Sequence, residues 1–422
     1  MNRPTTDTDS SADTGSAARA RAVQHLAGRW IRDALATGKP AEGGSFVSSP
    51  AGLWLALAAV AAGARGGTAR ELRALLGTAD REAASVVTAA ARELALTGAL
   101  GVATRVWTRV PVADAYREAL PDVRFDAMDP AAADAWVREA TDGLIGQLPL
   151  EITDGTLLAL VNVLALKARW ERPFDASRTR DLPFTDAAGA TRPVPTMAKD
   201  VPLADVWAVD GAYVVELRCT GEPGGTGEPG GAGGPGGAGG PGGAGGPGGA
   251  GGPGGAGGPG SAEGPGGGGA RVRFVLGEPG AGAGRVLPAG WADRAAGARP
   301  AADRVTIALP RLTLRTRIAV TGQLPALGIR LATSDAADFS GLSPEPLTIS
   351  DVVQEAVLKV AEEGVEAAAV TVVAMRAAGA ARPPQRVLNL AFDRPFGIVV
   401  LPADSDVPLF TAWQADSPAD RA

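Results

Sequence analysis

The segment AEEGVEAAAVTVVAMRAAGAARPPQRVLNL, residues 361–390, decides the fold. Glu362, Glu363 and Gly364 close a β-type run, EAVLKV (355–360), and a chain of small and β-branched residues follows. It is neither a helix-amphipathic pattern nor a polar loop. At strand periodicity Val365, Ala367, Ala369, Thr371, Val373 and Met375 share one face. Glu366, Ala368, Val370, Val372 and Ala374 share the other. The first face carries no charge and suits a core, while Glu366 belongs on the solvent side. The segment then passes through Ala377, Ala378, Gly379 and Ala380 to Pro383-Pro384, which cannot continue a central strand. Ala favours helix, but Val370, Thr371, Val372 and Val373 oppose one. This is a loop with the pattern of a strand.

The segment is set among β-rich neighbours. VTIALPRLTLRTRI (305–318) precedes it, and AFDRPFGIVVLP (391–402) and PLFTAW (408–413) follow. Further upstream, AYVVELRC (212–219) and ARVRFVLGEPG (270–280) are the arms of a hairpin. A tract from Thr220 to Gly269, nearly all Gly, Pro and Ala, lies between them. Its GGAGGP repeat puts Gly at every third place, as collagen does, but imino acids are too sparse for a triple helix. A flexible surface insertion is expected, and its host hairpin should tolerate it because closure entropy grows slowly with length. LLALVNVLALKARW (157–170) is the near-continuous apolar run of a strand buried on both faces. Turns at Ala188-Gly189 and Asp210-Gly211 separate short β pieces.

Helical patterns occupy the first third. One spans Ala18 to Ala36, with Val23, Leu26, Trp30, Ile31 and Leu35 as its apolar positions. Ser49-Pro50 turns the chain into a buried helix, AGLWLALAAVAAGA. Thr68 and Glu71 have the spacing of a capping box for the next one. Another contains Trp136, Val137, Leu144 and Ile145. Helices and strands in mixed order, without a βαβ rhythm, predict an α+β fold. The expected organisation is a disordered tail at 1–17, one domain at 18–415 carrying the insertion at 220–269, and a short tail at 416–422.

Composition narrows the chemistry. Of 422 residues, 40 are Lys or Arg and 46 Asp or Glu, giving a net charge of −6. No basic cluster stands out, which argues against a nucleic-acid partner. No apolar run reaches membrane-spanning length, so no membrane role is expected. The N-terminal stretch lacks the apolar core of a signal peptide, which favours the cytoplasm; an extracellular location is the alternative. Abundant Ala and a preference for Arg over Lys suggest a GC-rich bacterial genome. The single Cys219 cannot form an internal disulfide, and its apolar neighbours mark it as a buried structural thiol. The single His25 supports no His-pair zinc site and no Ser-His-Asp triad, and no GxSxG elbow is present. Neither enzyme activity, nor a metal, nor a cofactor is expected.

With these residues assembled, the chain resembles the serpin family of serine protease inhibitors. AEEGVEAAAVT is similar to the family hinge signature, Glu-Glu-Gly-(Thr)-Glu-Ala-Ala-Ala-x-Thr. SSPAGLWLALAAVAAGARGGTARELRALLG resembles its early Ser-Pro helix and Gly-Ala-Arg-Gly-Asn-Thr turn. LVNVLALKARWERPFDASRTRDLPF resembles a block carried here by Asn162, Lys167, Trp170, Pro173, Phe174 and Thr179. Asp338-Phe339-Ser340-Gly341, Arg394-Pro395-Phe396 and Leu409-Phe410 add three further marks. These motifs occur in family order from about Ala18 to Trp413.

The resemblance implies helices around three β-sheets with an exposed reactive-centre loop, and a suicide-substrate mechanism. A serine protease attacks the loop, and the cleaved loop enters the central sheet as a new strand; serpin loop insertion is a worked example of such a switch. The implied hinge is Glu362, Glu363, Gly364, Val365, Glu366, Ala367, Ala368, Ala369 and Thr371. Family spacing puts the attacked bond at Ala378-Gly379, which suits an elastase- or subtilisin-like target. The alternative, Arg376-Ala377, suits a trypsin-like one. Ser49, Pro50, Asn162, Trp170, Thr179 and Gln354 are implied to control insertion, although Asn162 and Trp170 also fit a purely structural role. Val365 replaces the commoner Thr or Ser, and Gln354 stands where many animal members have His. A monomer is expected. The rival reading is a non-inhibitory serpin with a binding or chaperone-like role.

Overall fold

The computed structural model describes residues 8–34, 44–95, 100–221, 269–365 and 386–418, apart from 142, 144, 149 and 167. The first third is helical. Helix α1 (Thr8–Arg29) runs into a π-helical turn, Trp30–Ala34. After β1 (Phe46–Ser48) come α2 (Pro50–Ala61), α3 (Gly66–Leu76) and α4 (Asp80–Ala95). Then follow β2 (Leu100–Thr108), α5 (Asp114–Ala119), β3 (Arg124–Ala127) and α6 (Pro130–Ala140). The remainder is mostly strand: β4 (Leu158–Leu166), β5 (Ala168–Trp170), β6 (Arg180–Thr185), β7 (Thr191–Val201), β8 (Val206–Val209) and β9 (Ala212–Gly221). Past the tract come β10 (Ala270–Leu276), the short α7 (Ala283–Val286), β11 (Arg304–Pro310), β12 (Leu312–Ala319) and β13 (Val353–Val360). The last are β14 (Gly364–Val365), β15 (Val387–Ala391), β16 (Phe396–Pro402) and β17 (Phe410–Gln414).

Three sheets result, and the fold is α+β. The largest runs β1-β17-β16-β10-β9-β5-β14-β13-β12, with β8 on β9. The second is β15-β11-β7-β6 and the third β3-β2-β4. The β9–β10 hairpin expected from sequence forms, with Cys219 opposite Ala270. The β8–β9 turn holds Asp210 at φ 50° and Gly211 at φ 76°, the double left-handed geometry that a two-residue hairpin requires.

Two sequence motifs lock together beneath the helices. Gly341 donates to the Gly63 carbonyl (3.0 Å), and Arg65 N–H donates to the Asp338 carbonyl (2.9 Å). A Cβ on Gly63 would stand 2.4 Å from Leu342 Cβ, so the close approach needs glycine there. The capping box expected at Thr68 and Glu71 does not form. Thr68 Oγ1 instead accepts from Asp338 N–H, and Glu71 accepts from Leu331 and Ala332 N–H. Both side chains serve tertiary contacts because the helix begins earlier, at Gly66. Helix α1 likewise begins at Thr8 rather than Ala18. Ser16 and Arg19 bind Glu93 of α4, which fastens the N-terminal turns to the body of the protein.

Candidate functional site

The site is a seam between β5 and β13. These strands are held apart at one end by β14, two residues that pair with both. Val365 lies opposite Val360 of β13 and opposite Ala168 of β5, and Gly364 lies opposite Arg169. Val365 is 2% exposed and belongs to the main core, so its face of the strand is the buried one. Gly364 is fixed by crowding rather than by its dihedral angles. A Cβ there would sit 2.2 Å from the Ala168 carbonyl oxygen and 2.8 Å from Arg169 Cα, both backbone atoms.

The turn that delivers β14 is capped by the chain just after β5. Trp170 N–H donates to the Glu363 carbonyl (2.9 Å) and Phe174 N–H to the Glu362 carbonyl (2.9 Å). The Trp170 indole N–H donates to the Ala361 carbonyl (2.9 Å). Trp170 is buried among Phe174 and Phe274, with ring centroids 6.4 and 6.2 Å away. The Glu362 carboxylate is buried and takes Arg311 Nε at 2.8 and 2.9 Å, with Thr179 Oγ1 at 2.6 Å. Burial alone would raise its pKa; the Arg311 and Thr179 hydrogen bonds outweigh this and hold it below the usual carboxylate range.

Beyond β14 the seam is open. β4 pairs with β2, and β13 with β12 and β14; among the described residues no ladder joins β4 to β13. A cavity of about 450 Å³ lies between them, lined by Leu53, Leu57 and Val60 of α2 and by Leu160, Asn162 and Gln354 of the two strands. Asn162 Nδ2 donates to Thr104 Oγ1 (2.8 Å), while its Oδ1 is buried with no hydrogen-bond partner. Gln354 is fully engaged with the start of α2: its Oε1 accepts from Ser49 N–H (2.7 Å) and its Nε2 donates to the Ser49 carbonyl (2.8 Å). Ser49 caps α2 by accepting from Gly52 N–H (3.1 Å) and donates to the Leu409 carbonyl (2.6 Å). Pro50 opens the helix at a position where no N–H is needed.

The sequence-derived residues therefore gather in two places. Thr179, Trp170, Glu362, Glu363, Gly364 and Val365 meet at the closed end of the seam; Asn162 and Gln354 line the cavity, and Gln354 ties Ser49, next to Pro50, to its edge. Glu366, Ala367, Ala368, Ala369, Thr371, Arg376, Ala377, Ala378 and Gly379 lie outside the described residues. Sequence reading missed Arg311, the partner of Glu362, although the interruption between two strand-like runs at Pro310-Arg311 marks it out. It also missed Lys199, whose ammonium stands 4.2 Å from the Phe174 ring centroid and 5.7 Å from that of Trp170.

Comparison with known proteins gives the arrangement its context. The family model described as "Serpin (serine protease inhibitor)" matches residues 32–224 and 290–415. The gap between the two matched parts holds most of the Gly-rich tract. A rice (Oryza sativa subsp. japonica) serpin-Z8 is 28% identical, covering 96% of this chain and 99% of its own length. Among solved structures, the thermophilic serpin tengpin in its native state superposes with a TM-score of 0.71 at 18% identity, covering 99% of this chain and 96% of that one. Human thyroxine-binding globulin superposes with a TM-score of 0.67 at 18% identity, covering 96% of this chain and 100% of that one. These structural likenesses show the fold. The bacterial character suggested by composition has no counterpart in the rice and human proteins. The model match covers well over half of the sequence and spans both strands of the seam: the chain belongs to the serpin family.

Proposed function

We propose that this serpin inhibits a serine protease as a suicide substrate, with the loop after Val365 entering the seam once it is cut. The carrying observation is β14, a two-residue strand paired on both sides at the head of an open seam. Extending its register supports the reading. In antiparallel pairing Ala367 and Ala369 would follow Val365 inward, beside Leu358 and Ala356 of β13. Both neighbours are buried, so small, uncharged side chains are what the core-facing side can accept. Thr371 would come between Gln354 and Asn162, where the unpartnered Asn162 Oδ1 awaits a donor. Glu366 would face outward beside Lys359, which is exposed.

The scissile bond in this reading is Ala378-Gly379. A small residue before the cut suits an elastase- or subtilisin-like protease, and cleavage at Arg376-Ala377 would indicate a trypsin-like one. The protein would act as a monomer, in the cytoplasm or outside the cell. The test is incubation with a panel of serine proteases, followed by a denaturing gel and intact mass. A covalent adduct with a released C-terminal peptide is expected, and the peptide mass names the bond. Clean cleavage without any adduct across the panel would sink the inhibitory reading in favour of a non-inhibitory binding role.

A further inference from the structure

β15 begins just after the loop, and a side chain from the neighbouring strand clasps the chain at its start. The Asp303 carboxylate, one residue ahead of β11, accepts from Arg386 N–H (2.9 Å) and lies 3.8 Å from the Arg386 guanidinium. In return Asp303 N–H donates to the Arg386 carbonyl (2.8 Å), which Arg304 N–H shares at 3.3 Å. Both backbone polar groups of Arg386 are therefore held by Asp303. Past this clasp the hold is light. β15 is the edge strand of its sheet and pairs with β11 alone, over five residues. Val387 and Asn389 are exposed, and of the five only Leu390 is buried. A strand peeled from the loop end would meet its first resistance at Asp303.

Chain length decides when such peeling is required. The register that sets Val365 opposite Ala168 brings Met375 opposite Leu158, the start of β4. A loop filling the seam to that point would descend about 34 Å from Val365. The chain from Met375 on to Arg386 can span at most about 36–40 Å. It would have to retrace the seam and then go further. Arg311 stands beside Glu362 at the closed end, whereas Arg386 is held at the opposite end of β11, about 25 Å away along that strand. Only Arg311 separates β11 from β12, and the two lie in different sheets, so the chain turns a corner there without doubling back. A cut loop is free of this tether. An uncut loop can fill the seam only by drawing Arg386 and residues of β15 out of their sheet.

We propose that Asp303 is a positioning residue for the loop: by clasping Arg386 it keeps an uncut loop out of the seam and so reserves insertion for the cut one. The inference rests on the reading of the chain after Val365 as an inserting strand. What the clasp needs from Asp303 is an acceptor for the Arg386 backbone. The guanidinium contact, at 3.8 Å between two well-exposed side chains, adds little.

The experiment warms intact full-length protein mildly, without protease, and follows the fraction that becomes heat-resistant through loop insertion. Asp303→Ala is expected to convert roughly three- to tenfold faster than the wild type. Asp303→Asn, whose amide oxygen can still accept from Arg386 N–H, should stay close to the wild-type rate. Arg386→Ala, which keeps the backbone bonds, should do the same. A second variant reads the peeling itself. Thr306→Cys combined with Asn389→Cys, partners in the β11–β15 ladder, should form a disulfide that blocks conversion of the uncut protein. Once its loop is cut, the cross-linked protein should still become heat-resistant, because cleavage frees the loop from β15. Asp303→Ala converting no faster than the wild type, or Asp303→Asn converting as fast as Asp303→Ala, would overturn the assignment of Asp303. Conversion of the cross-linked, uncut protein would overturn it too. A cut protein that gains no heat resistance would instead refute loop insertion itself, and the proposal would fall with it.

Discussion

Ala369→Arg is expected to leave folding and the first cleavage intact while abolishing trapping. Counting from the Val360–Val365 pair, residue 369 comes opposite Ala356, which is 4% exposed and packs in the main core. An arginine carried there brings an unpaired charge into that core, at a cost of about 3–5 kcal/mol. At about 1.4 kcal/mol per tenfold in rate, insertion would slow by roughly two to three orders of magnitude, time enough for the acyl-enzyme to hydrolyse. Ala368→Arg faces the other way, beside the half-buried Val357, which packs with Trp136 and Val137 under α6. A long side chain there can reach past the helix to water, so its effect should be milder though not zero. The assay is the ratio of covalent complex to cleaved product, with a protease that the wild type inhibits. Equal damage from both substitutions would refute the facing assignment, and no damage from either would refute strand insertion.

Other expectations follow from the same seam. Cleavage within the loop should raise the melting temperature well above that of the intact protein, because a full strand would replace the cavity between β4 and β13; an unchanged melting curve after clean cleavage counts against insertion. Replacing Glu222 to Gly268 by a short Gly-containing turn should preserve inhibition, since Cys219 and Ala270 already pair at the root of the tract. Closing a much shorter loop should add about 2 kcal/mol of stability, whereas a large loss of inhibition would show that the tract touches the protease or a partner. Arg311→Ala should destabilise the closed end by about 1–3 kcal/mol, the worth of charge-assisted hydrogen bonds. Because Glu362 is held below its ordinary pKa, that contribution is present above the unfolded value and fades as pH falls through the folded one. The melting temperatures of wild type and variant should therefore converge in acid and stay apart at neutral pH.

Local pattern carried much of this structure. The β9–β10 hairpin, the left-handed turn at Asp210-Gly211, the Ser49 cap and the break in strand character at Glu362–Gly364 are all set by neighbours in sequence. What escaped is what depends on distant partners. Glu362 and Arg311 lie far apart in the chain, and only the adjacency of β12 and β13 brings them together. Thr68 and Glu71 carry a legitimate local signal that tertiary acceptors overrode. Lys199 lies amid short β-like pieces, where no periodicity reveals that its ammonium will stand beside two aromatic rings.

The shortest of the described strands would, if the loop inserts as proposed, have the largest kinetic consequence. In cooperative ordering the first paired unit is the costly one, since it fixes backbone freedom before many bonds repay it, and later units propagate cheaply; helix formation is the familiar case. Val365, paired on both flanks, makes β14 a nucleus that already exists in the intact protein. Propagation from it needs no search for register, because two strands dictate each next pair. In the proposed insertion the barrier would lie ahead of the nucleus. The cavity between β4 and β13 is already present, so the slow step would be filling it and pairing with both strands past Asn162 and Gln354.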